Sequence, residues 1–322
     1  MNSNPNSSST SKYWRSAALR IGGSVLILAL LLRAVPFRLV WSKIQLTSPW
    51  LAVALLCSYL ALHLMGTAKW RLLINLAGAE LTFPQAVRCY FTGLFGNIFL
   101  PSLVGGDILR AGIAFRLARS KTAVVLGSLV DRVQDTIGLL AVVGIGVLLL
   151  PNALDPRSRG TLRAVAVVFL VGVSLGVGSV SIVPVRRFPW KIRRRLVPVR
   201  HAIRAVYRRP ALVFLCFCMG MTLQVCLVSI NFILGKTSGL HVPFYVWLFA
   251  WPLSKLSGLI PVTQGGMGIR EAALVGLLLP FGAPKETVTA VGFVFEAILI
   301  SGGLIGGAMA FVIGRISSGT NE

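Results

Sequence analysis

The stretch PSLVGGDILR occupies residues 101–110, and PVTQGGMGIR occupies residues 261–270, 160 positions further along the chain. Both follow the pattern P-x3-G-G-x3-R, and both interrupt strongly apolar sequence. Pro and Gly break an apolar helix, and such breaks are tolerated at membrane depth only where protein or a wet cavity surrounds the exposed backbone. Broken segments in corresponding positions of two halves are typical of a substrate site between structural repeats. The doubled pattern therefore predicts one binding site at which the two copies meet.

The composition is that of a polytopic membrane protein. Apolar residues make up 55% of the chain and charged residues only 13%, and several apolar runs approach the ~20 residues that cross a ~30 Å hydrocarbon core. The chain has 32 Lys and Arg against 9 Asp and Glu. Because the basic residues flank apolar runs, they indicate membrane topology and attraction to anionic lipids, not nucleic acid binding. The scattered Cys and His residues lack metal-ligand spacing, so we expect no metal and no cofactor.

The order of apolar runs predicts an all-α fold with about six full transmembrane helices and two helical hairpins that are possibly re-entrant. The full spans are expected at residues 17–36, 48–66, 122–150, 161–185, 210–234 and 287–314. The hairpins, residues 85–121 and 244–283, carry the two motifs. Three crossings separate the hairpins, so they should enter from opposite sides as an inverted repeat.

The positive-inside rule places the basic segments, including a loop at residues 69–71 and a run of ten Lys and Arg at 186–209, in the cytoplasm. We therefore expect a protein of the cytoplasmic membrane with both termini cytoplasmic. The domain organisation that follows is a disordered tail at 1–14, one membrane domain at 15–316 and a short tail at 317–322. The repeat halves of that domain are about 85–185 and 210–314, joined by the basic segment 186–209.

The motif chemistry favours an anion. Paired glycines permit tight turns and close approach by another group, and Asp107 is a suitable N-cap for a helix that starts after them. A helix N-terminus offers free N–H groups and partial positive charge. Arg110 and Arg270 should lie about one turn into the two helices, where each guanidinium could grip a phosphate or carboxylate with two hydrogen bonds.

Carboxylates follow each motif at comparable depth. Asp131 lies ten residues after Lys121, and Glu296 lies ten after Glu286, which corresponds to ~15 Å along a helix. Charges at that depth normally face a partner or a cavity, and we expect Arg110 to pair with Asp131 and Arg270 with Glu296. Two interpretations stay open and are compatible: ion pairs that lock helices together, and headgroup contact or proton coupling. The residues proposed for charge balance or proton coupling are Asp131, Arg132, Asp135 and Glu296.

Two further patterns concern surfaces. Arg200, Arg204 and Arg208 form one stripe of a basic amphipathic helix, either a topology anchor or a surface that gathers anionic lipid. The glycines at 302–303 and 306–307 form overlapping GxxxG patterns, which indicate close helix packing within or between protomers.

These motifs together resemble a known family, the membrane domain named for the transmembrane region of lysylphosphatidylglycerol synthase and also called flippase-like. The resemblance covers residues 15–316 and rests on the segments NIFLP at 97–101, GGD at 105–107 with Arg110, DR at 131–132, and GGMGIRE at 265–271. It implies a multi-spanning domain linked to lipid movement between leaflets, here expected to stand alone without the aminoacyl-transfer domain of the full synthases. The candidate substrate-binding residues are Asn97, Pro101, Gly105, Gly106, Asp107, Arg110, Gly265, Gly266, Arg270 and Glu271.

Three functions remain open on the sequence. The first is a translocator that moves a phospholipid or a polyprenyl-linked lipid between leaflets. The second is a membrane subunit that partners a lipid-modifying enzyme or glycosyltransferase without transport. Its glycine faces would then be the surfaces that contact this partner or a second copy of the chain. The third and weakest is an intramembrane enzyme acting on a lipid phosphate, because no P-loop, GxSxG or HExxH motif and no catalytic residue is found.

Overall fold

Helices form nearly all of the part of the chain that the structure describes. The computed structural model describes residues 48–99, 104–149, 208–257 and 268–319, besides the isolated residues 42 and 45. No strand occurs within these ranges. The described helices are α1 Pro49–Leu76, α2 Phe83–Phe99, α3 Val104–Leu117, α4 Lys121–Leu148, α5 Pro210–Thr237, α6 Phe244–Ser257, α7 Ile269–Leu278 and α8 Lys285–Gly319, with a 3₁₀ turn at Leu279–Phe281 between the last two.

Three of the described helices are long and apolar enough to cross a membrane: α1, α5 and α8 over Lys285–Ile316. Helix α4 has 28 residues, the length of α1, but carries Asp131, Arg132 and Asp135 in its middle. The chain is thus an all-helical membrane protein. The spans expected at 17–36 and 161–185, the N-terminal tail, and Arg200 and Arg204 of the basic stripe lie outside the described residues.

The expectation of a loop at residues 69–71 is wrong, because α1 continues to Leu76. Lys69 stays helical and buried because two carboxylates of α4 neutralise it. Trp70 is fully buried, and its indole N–H donates to Ser128 Oγ at 2.9 Å. The guanidinium of Arg71 donates to the carbonyl of Leu81 at 2.8 Å. A basic cluster that ends an apolar run in sequence is therefore part of the helix interior here.

The helix pairs α2–α3 and α6–α7 open at opposite ends of α4. At the start of α4, Arg119 N–H donates to the carbonyl of Ala79 at 3.0 Å, so the end of α3 lies beside the loop that leads into α2. At the end of α4, Gly146 lies against the backbone of Phe249 near the start of α6. The ring of Phe249 contacts that of Phe281, just after α7, with centroids 5.9 Å apart. The open ends of the two pairs therefore lie at opposite ends of α4.

The glycine face of α8 packs inside this chain. A Cβ atom added at each of these glycines would lie 2.4–2.6 Å from an aromatic or aliphatic side chain of α1 or α2. The contacts are Gly302 with Tyr59, Gly303 with Ile98, Gly306 with Phe91, and Gly307 with Phe95. Small residues allow such close approach in a membrane, where apolar surface alone gives helices little reason to associate. This face is occupied by the chain's own helices, so its interpretation as a partner surface is wrong.

This packing predicts that Gly306→Val destabilises the protein. The new side chain would collide with Phe91, and overpacking of this kind costs about 1–3 kcal/mol. Thermal unfolding of the purified protein in detergent measures the effect as a lower midpoint temperature. Gly144→Val in α4 is the matched control, since nothing lies within 4 Å of a Cβ added there. Equal midpoints for the two variants would contradict the packing described for α8.

Candidate functional site

One cavity of about 210 Å³ lies where the eight described helices converge. At about 10–15 Å³ of such volume per water, it is large enough for a polar headgroup with its hydration. Each helix contributes at least one polar side chain to its wall. These side chains include Tyr59 and Lys69 of α1, Tyr90 of α2, Arg110 of α3, Asp131 of α4, Gln224 of α5, Lys255 of α6, Arg270 of α7 and Glu296 of α8.

The most deeply buried charges of the cavity wall belong to Lys69 and Asp131. Lys69 Nζ lies 2.9 Å from Asp131 Oδ1, and both side chains are only 3% exposed. The same ammonium group donates a hydrogen bond to Asp135, one helical turn further along α4. Since Asp131 and Asp135 face the same side of the helix, one lysine of α1 neutralises part of the charge of both.

Arg110 of α3 also lies close to the carboxylate of Asp131. Its Nη2 lies 3.5 Å from Asp131 Oδ2 and 3.3 Å from Asp107 Oδ1. Its guanidinium also lies over the rings of Trp70 and Tyr90, at 4.7 and 5.1 Å from their centroids. Cation–π contacts of this kind strengthen when the cation is desolvated. The expected pairing of Arg110 with Asp131 is present.

The expectation that Asp107 is the N-cap of α3 is wrong. The helix begins at Val104, so Asp107 lies in its first turn. Its carboxylate instead accepts a hydrogen bond from Arg132, whose side chain is 50% exposed. Asp107 therefore links the α2–α3 pair to α4 at the more exposed part of the cavity.

The closed end of the α2–α3 pair is tight because glycine is present. A Cβ atom added at Gly106 would lie 2.2 Å from the carbonyl oxygen of Gly93. The N–H group of Gly106 donates to Asn97 Oδ1 at 3.0 Å. The two helices thus meet through backbone and a short amide side chain, which places Asn97 and Gly106 on the cavity wall.

The second cluster consists of Arg270, Glu271 and Glu296. Arg270 Nη2 donates to Glu271 Oε1 at 2.8 Å and also to Glu296, so the pairing expected for Arg270 is present. Its guanidinium lies 5.6 Å from the ring centroid of Phe295. Arg270 is the second residue of α7, not one turn inside it as expected.

Glu271 has a structural position behind this cluster. Its other oxygen, Oε2, accepts the N–H group of Gly268 at 2.6 Å, where the backbone has φ = 84° and precedes the first residue of α7. Such a φ favours glycine. Glu271 is only 2% exposed and is not among the residues that line the cavity. It orients Arg270 and stabilises the start of α7.

The structure brings most of the sequence candidates to one cavity. Those on its wall are Asn97, Gly106, Asp107, Arg110, Asp131, Arg132, Asp135, Arg270 and Glu296. Gly105 lies in the first turn of α3 but is not a lining residue. Arg208 is exposed beside the start of α5. Pro101, Gly265 and Gly266 lie outside the described residues.

Sequence reasoning missed several polar lining residues, among them Lys69, Gln224 and Lys255. Lys69 looked like a flanking charge because it follows an apolar run. Gln224 and Lys255 each lie within a strongly apolar helix, and a polar residue at such a position is the available signal. His63 also lines the cavity, with Nδ1 3.4 Å from the hydroxyl of Tyr90. Within the described ranges, no group of three His, Cys, Asp or Glu residues could hold a metal ion.

The buried network predicts strong coupling between Lys69 and Asp131. Lys69→Met leaves the buried carboxylate of Asp131 with only the more distant cation of Arg110, and removing one partner of a buried ion pair costs about 3–5 kcal/mol. The double variant Lys69→Met/Asp131→Asn should lose less stability than the sum of the single variants, because it removes both charges. Chemical denaturation of the purified protein measures all three losses.

The matched control for this cycle is the ion pair Arg119–Glu80, whose side chains are 76% and 60% exposed. Breaking it with Arg119→Met should cost only about 0.2–1 kcal/mol. Strictly additive losses at Lys69 and Asp131, equal in size to the Arg119 loss, would contradict the buried network.

Comparison with known proteins agrees with the resemblance expected from the motifs. The family described as lysylphosphatidylglycerol synthase TM region matches residues 17–307. A relative from Methanothermobacter thermautotrophicus, named a UPF0104 membrane protein, is 25% identical over 285 residues, which are 78% of this chain and 80% of the relative. The family match includes both copies of the P-x3-G-G-x3-R pattern and every residue that lines the cavity. The chain therefore belongs to the lysylphosphatidylglycerol synthase TM region family.

Proposed function

We propose that this protein is a lipid translocator of the cytoplasmic membrane that moves a phospholipid or polyprenyl-linked lipid between leaflets. The observation that carries the proposal is a cavity whose wall includes charged residues of both helix pairs. A lipid headgroup that crosses a bilayer needs such a polar environment, because a charged group at the bilayer centre costs at least ~2.5–3.5 kcal/mol. The chain's membership of this membrane family supports a role that involves lipids.

The arrangement of the two helix pairs supports transport over a passive role. The pairs open at opposite ends of α4 and meet at the cavity, which is the arrangement expected of inverted repeats in alternating-access transporters. In this proposal the chain has six full spans and two hairpins, and both termini are cytoplasmic. The headgroup enters between the hairpins, and the carboxylates Asp131, Asp135 and Glu296 balance charge or carry a proton.

The proposal distinguishes this protein from an enzyme and from a passive subunit. Apart from Lys255, the polar groups of the cavity are paired charges and neutral groups, which suit reversible binding of a headgroup. A purely structural partner of a lipid-modifying enzyme would need neither a cavity of this size nor charges on its wall. Anionic phospholipids and polyprenyl-phosphate-linked lipids are the partners that the proposal assigns to the site.

Leaflet transfer of labelled lipid in reconstituted vesicles tests the proposal. Vesicles that contain the protein should expose inner-leaflet lipid to an external quencher faster than empty vesicles. The double variant Arg110→Ala/Arg270→Ala should slow transfer about tenfold or more. In this proposal each guanidinium makes charge-assisted hydrogen bonds to the headgroup, and such bonds are worth about 1.5–3 kcal/mol.

The control for this assay is Arg116→Ala/Arg315→Ala, which removes two exposed arginines outside the cavity. It should transfer lipid at the wild-type rate, and size-exclusion profiles should show that both double variants are folded. Transfer no faster than in empty vesicles for the wild-type protein, tested with anionic phospholipid and with polyprenyl phosphate, would exclude the translocator and favour the accessory-subunit alternative. Equal rates for the two double variants would exclude the site assignment.

A further inference from the structure

Lys255 is a half-buried cation that neither motif contains. It lies near the end of α6 and lines the cavity. Its Nζ donates to Gln224 Oε1 at 3.3 Å and lies 5.3 Å from the ring centroid of Trp251. Both of these partners are uncharged, and the side chain of Gln224 is itself almost fully buried.

The other four cations of the cavity wall are each paired with a carboxylate. Lys69 pairs with Asp131 and Asp135, Arg110 with Asp107 and Asp131, Arg132 with Asp107, and Arg270 with Glu271 and Glu296. No Asp or Glu of the described residues lies within salt-bridge distance, 4.0 Å, of Lys255. Within the described part of the chain, Lys255 therefore has neutral hydrogen-bond and aromatic partners but no counter-ion in contact.

The charges around Lys255 do not compensate for this. The cavity wall carries four other cations, Lys69, Arg110, Arg132 and Arg270, and its carboxylates, Asp107, Asp131, Asp135 and Glu296, are the groups that pair with them. Asp135 is shared with Lys69 and lies 4.0 Å from Arg132. A cation held among other cations in a desolvated cavity attracts an anion, because electrostatic interactions are stronger in a low-dielectric interior than in water.

We propose that Lys255, with Gln224, forms the subsite that binds the phosphate group of the ligand. The phosphate would provide the counter-charge that the ammonium group lacks, and the hydrogen bond to Gln224 Oε1 fixes the direction of that ammonium group. This inference rests on the proposed function only for the source of the phosphate, since a lipid headgroup and free phosphate present the same oxygen atoms. It assigns the first contact with the anion to Lys255 of α6 and not to Arg110 or Arg270, because each of these arginines already has carboxylates within 4.0 Å.

Binding to the purified full chain in detergent tests the subsite. Isothermal titration calorimetry is carried out with three probes: short-chain phosphatidylglycerol, the matching diacylglycerol without phosphate, and inorganic phosphate. The wild-type protein should bind the phosphate-containing lipid more tightly than the diacylglycerol. Lys255→Gln should weaken that binding about tenfold or more, as expected for loss of a charge-assisted hydrogen bond. Lys255→Met, which removes the same charge with a similar shape, should do the same.

The controls separate charge at this position from charge in general. Lys255→Arg keeps the cation and should bind within a few-fold of wild type. Lys236→Gln removes one exposed positive charge from the end of α5 and should leave binding unchanged. If both Lys255→Gln and Lys255→Met bind the lipid as wild type does, or if the diacylglycerol binds equally well, the subsite is refuted.

The remaining outcomes distinguish the subsite from the proposed function. If inorganic phosphate binds in a Lys255-dependent way and the lipid does not, the phosphate subsite is supported and lipid is refuted as its source. If the lipid binds through Lys255 but the wild-type protein transfers none in vesicles, the subsite stands and the translocator is refuted. If the wild-type protein transfers lipid while Lys255→Gln leaves both binding and transfer unchanged, the translocator is supported and the subsite is refuted.

Discussion

The contact between Lys69 and Asp131 is the interaction on which the rest of the site depends. It joins α1 to α4 at a depth where neither charge has an exposed side chain, and a lone charge there would be costly. Arg110 approaches the second oxygen of the same carboxylate, so the α2–α3 pair is positioned by a charge that Lys69 has already made tolerable. In lipid, apolar surfaces give helices little preference for one partner. Shared charges therefore specify which helices meet around the cavity.

The two motifs differ in the residues that supply carboxylates to their arginines. Near the first motif, the carboxylates come from α3 and α4, and Asp107 of the motif itself reaches Arg132 across the helix interface. Near the second motif, Met267 replaces the aspartate, and Glu271 supplies the carboxylate one residue after Arg270. Glu271 also fixes the first turn of α7. Each guanidinium thus has one carboxylate in its own helix, Asp107 for Arg110 and Glu271 for Arg270, and one in a neighbouring helix, Asp131 for Arg110 and Glu296 for Arg270.

The sequence predicts the parts of the site that follow from helix rise and charge. Counting along the helix places Glu296 near Arg270, and the ion pair is present. The role of Asp107 was not predictable, because the glycines suggested a helix that begins after them. The helix instead begins at Val104, before the glycines, so Asp107 lies inside it. Lys69 was misplaced because hydropathy alone cannot tell a flanking lysine from one that a distant carboxylate neutralises. Lys255 was missed because its partners, Gln224 and Trp251, have no charge pattern that a sequence motif would show.

In the proposed transport cycle, the ion pairs would determine what can move. The α2–α3 pair contacts α4 through Asp107 and Arg132 at the half-exposed part of the cavity, and α7 contacts α8 through Arg270 and Glu296. Because the helix pairs open at opposite ends of α4, loosening one pair would expose the cavity to one side of the membrane. Discrete ion pairs favour two distinct arrangements over a continuous deformation. A headgroup phosphate at Lys255, on the other hairpin from Asp107, would therefore bias this equilibrium by competing for the nearby arginines.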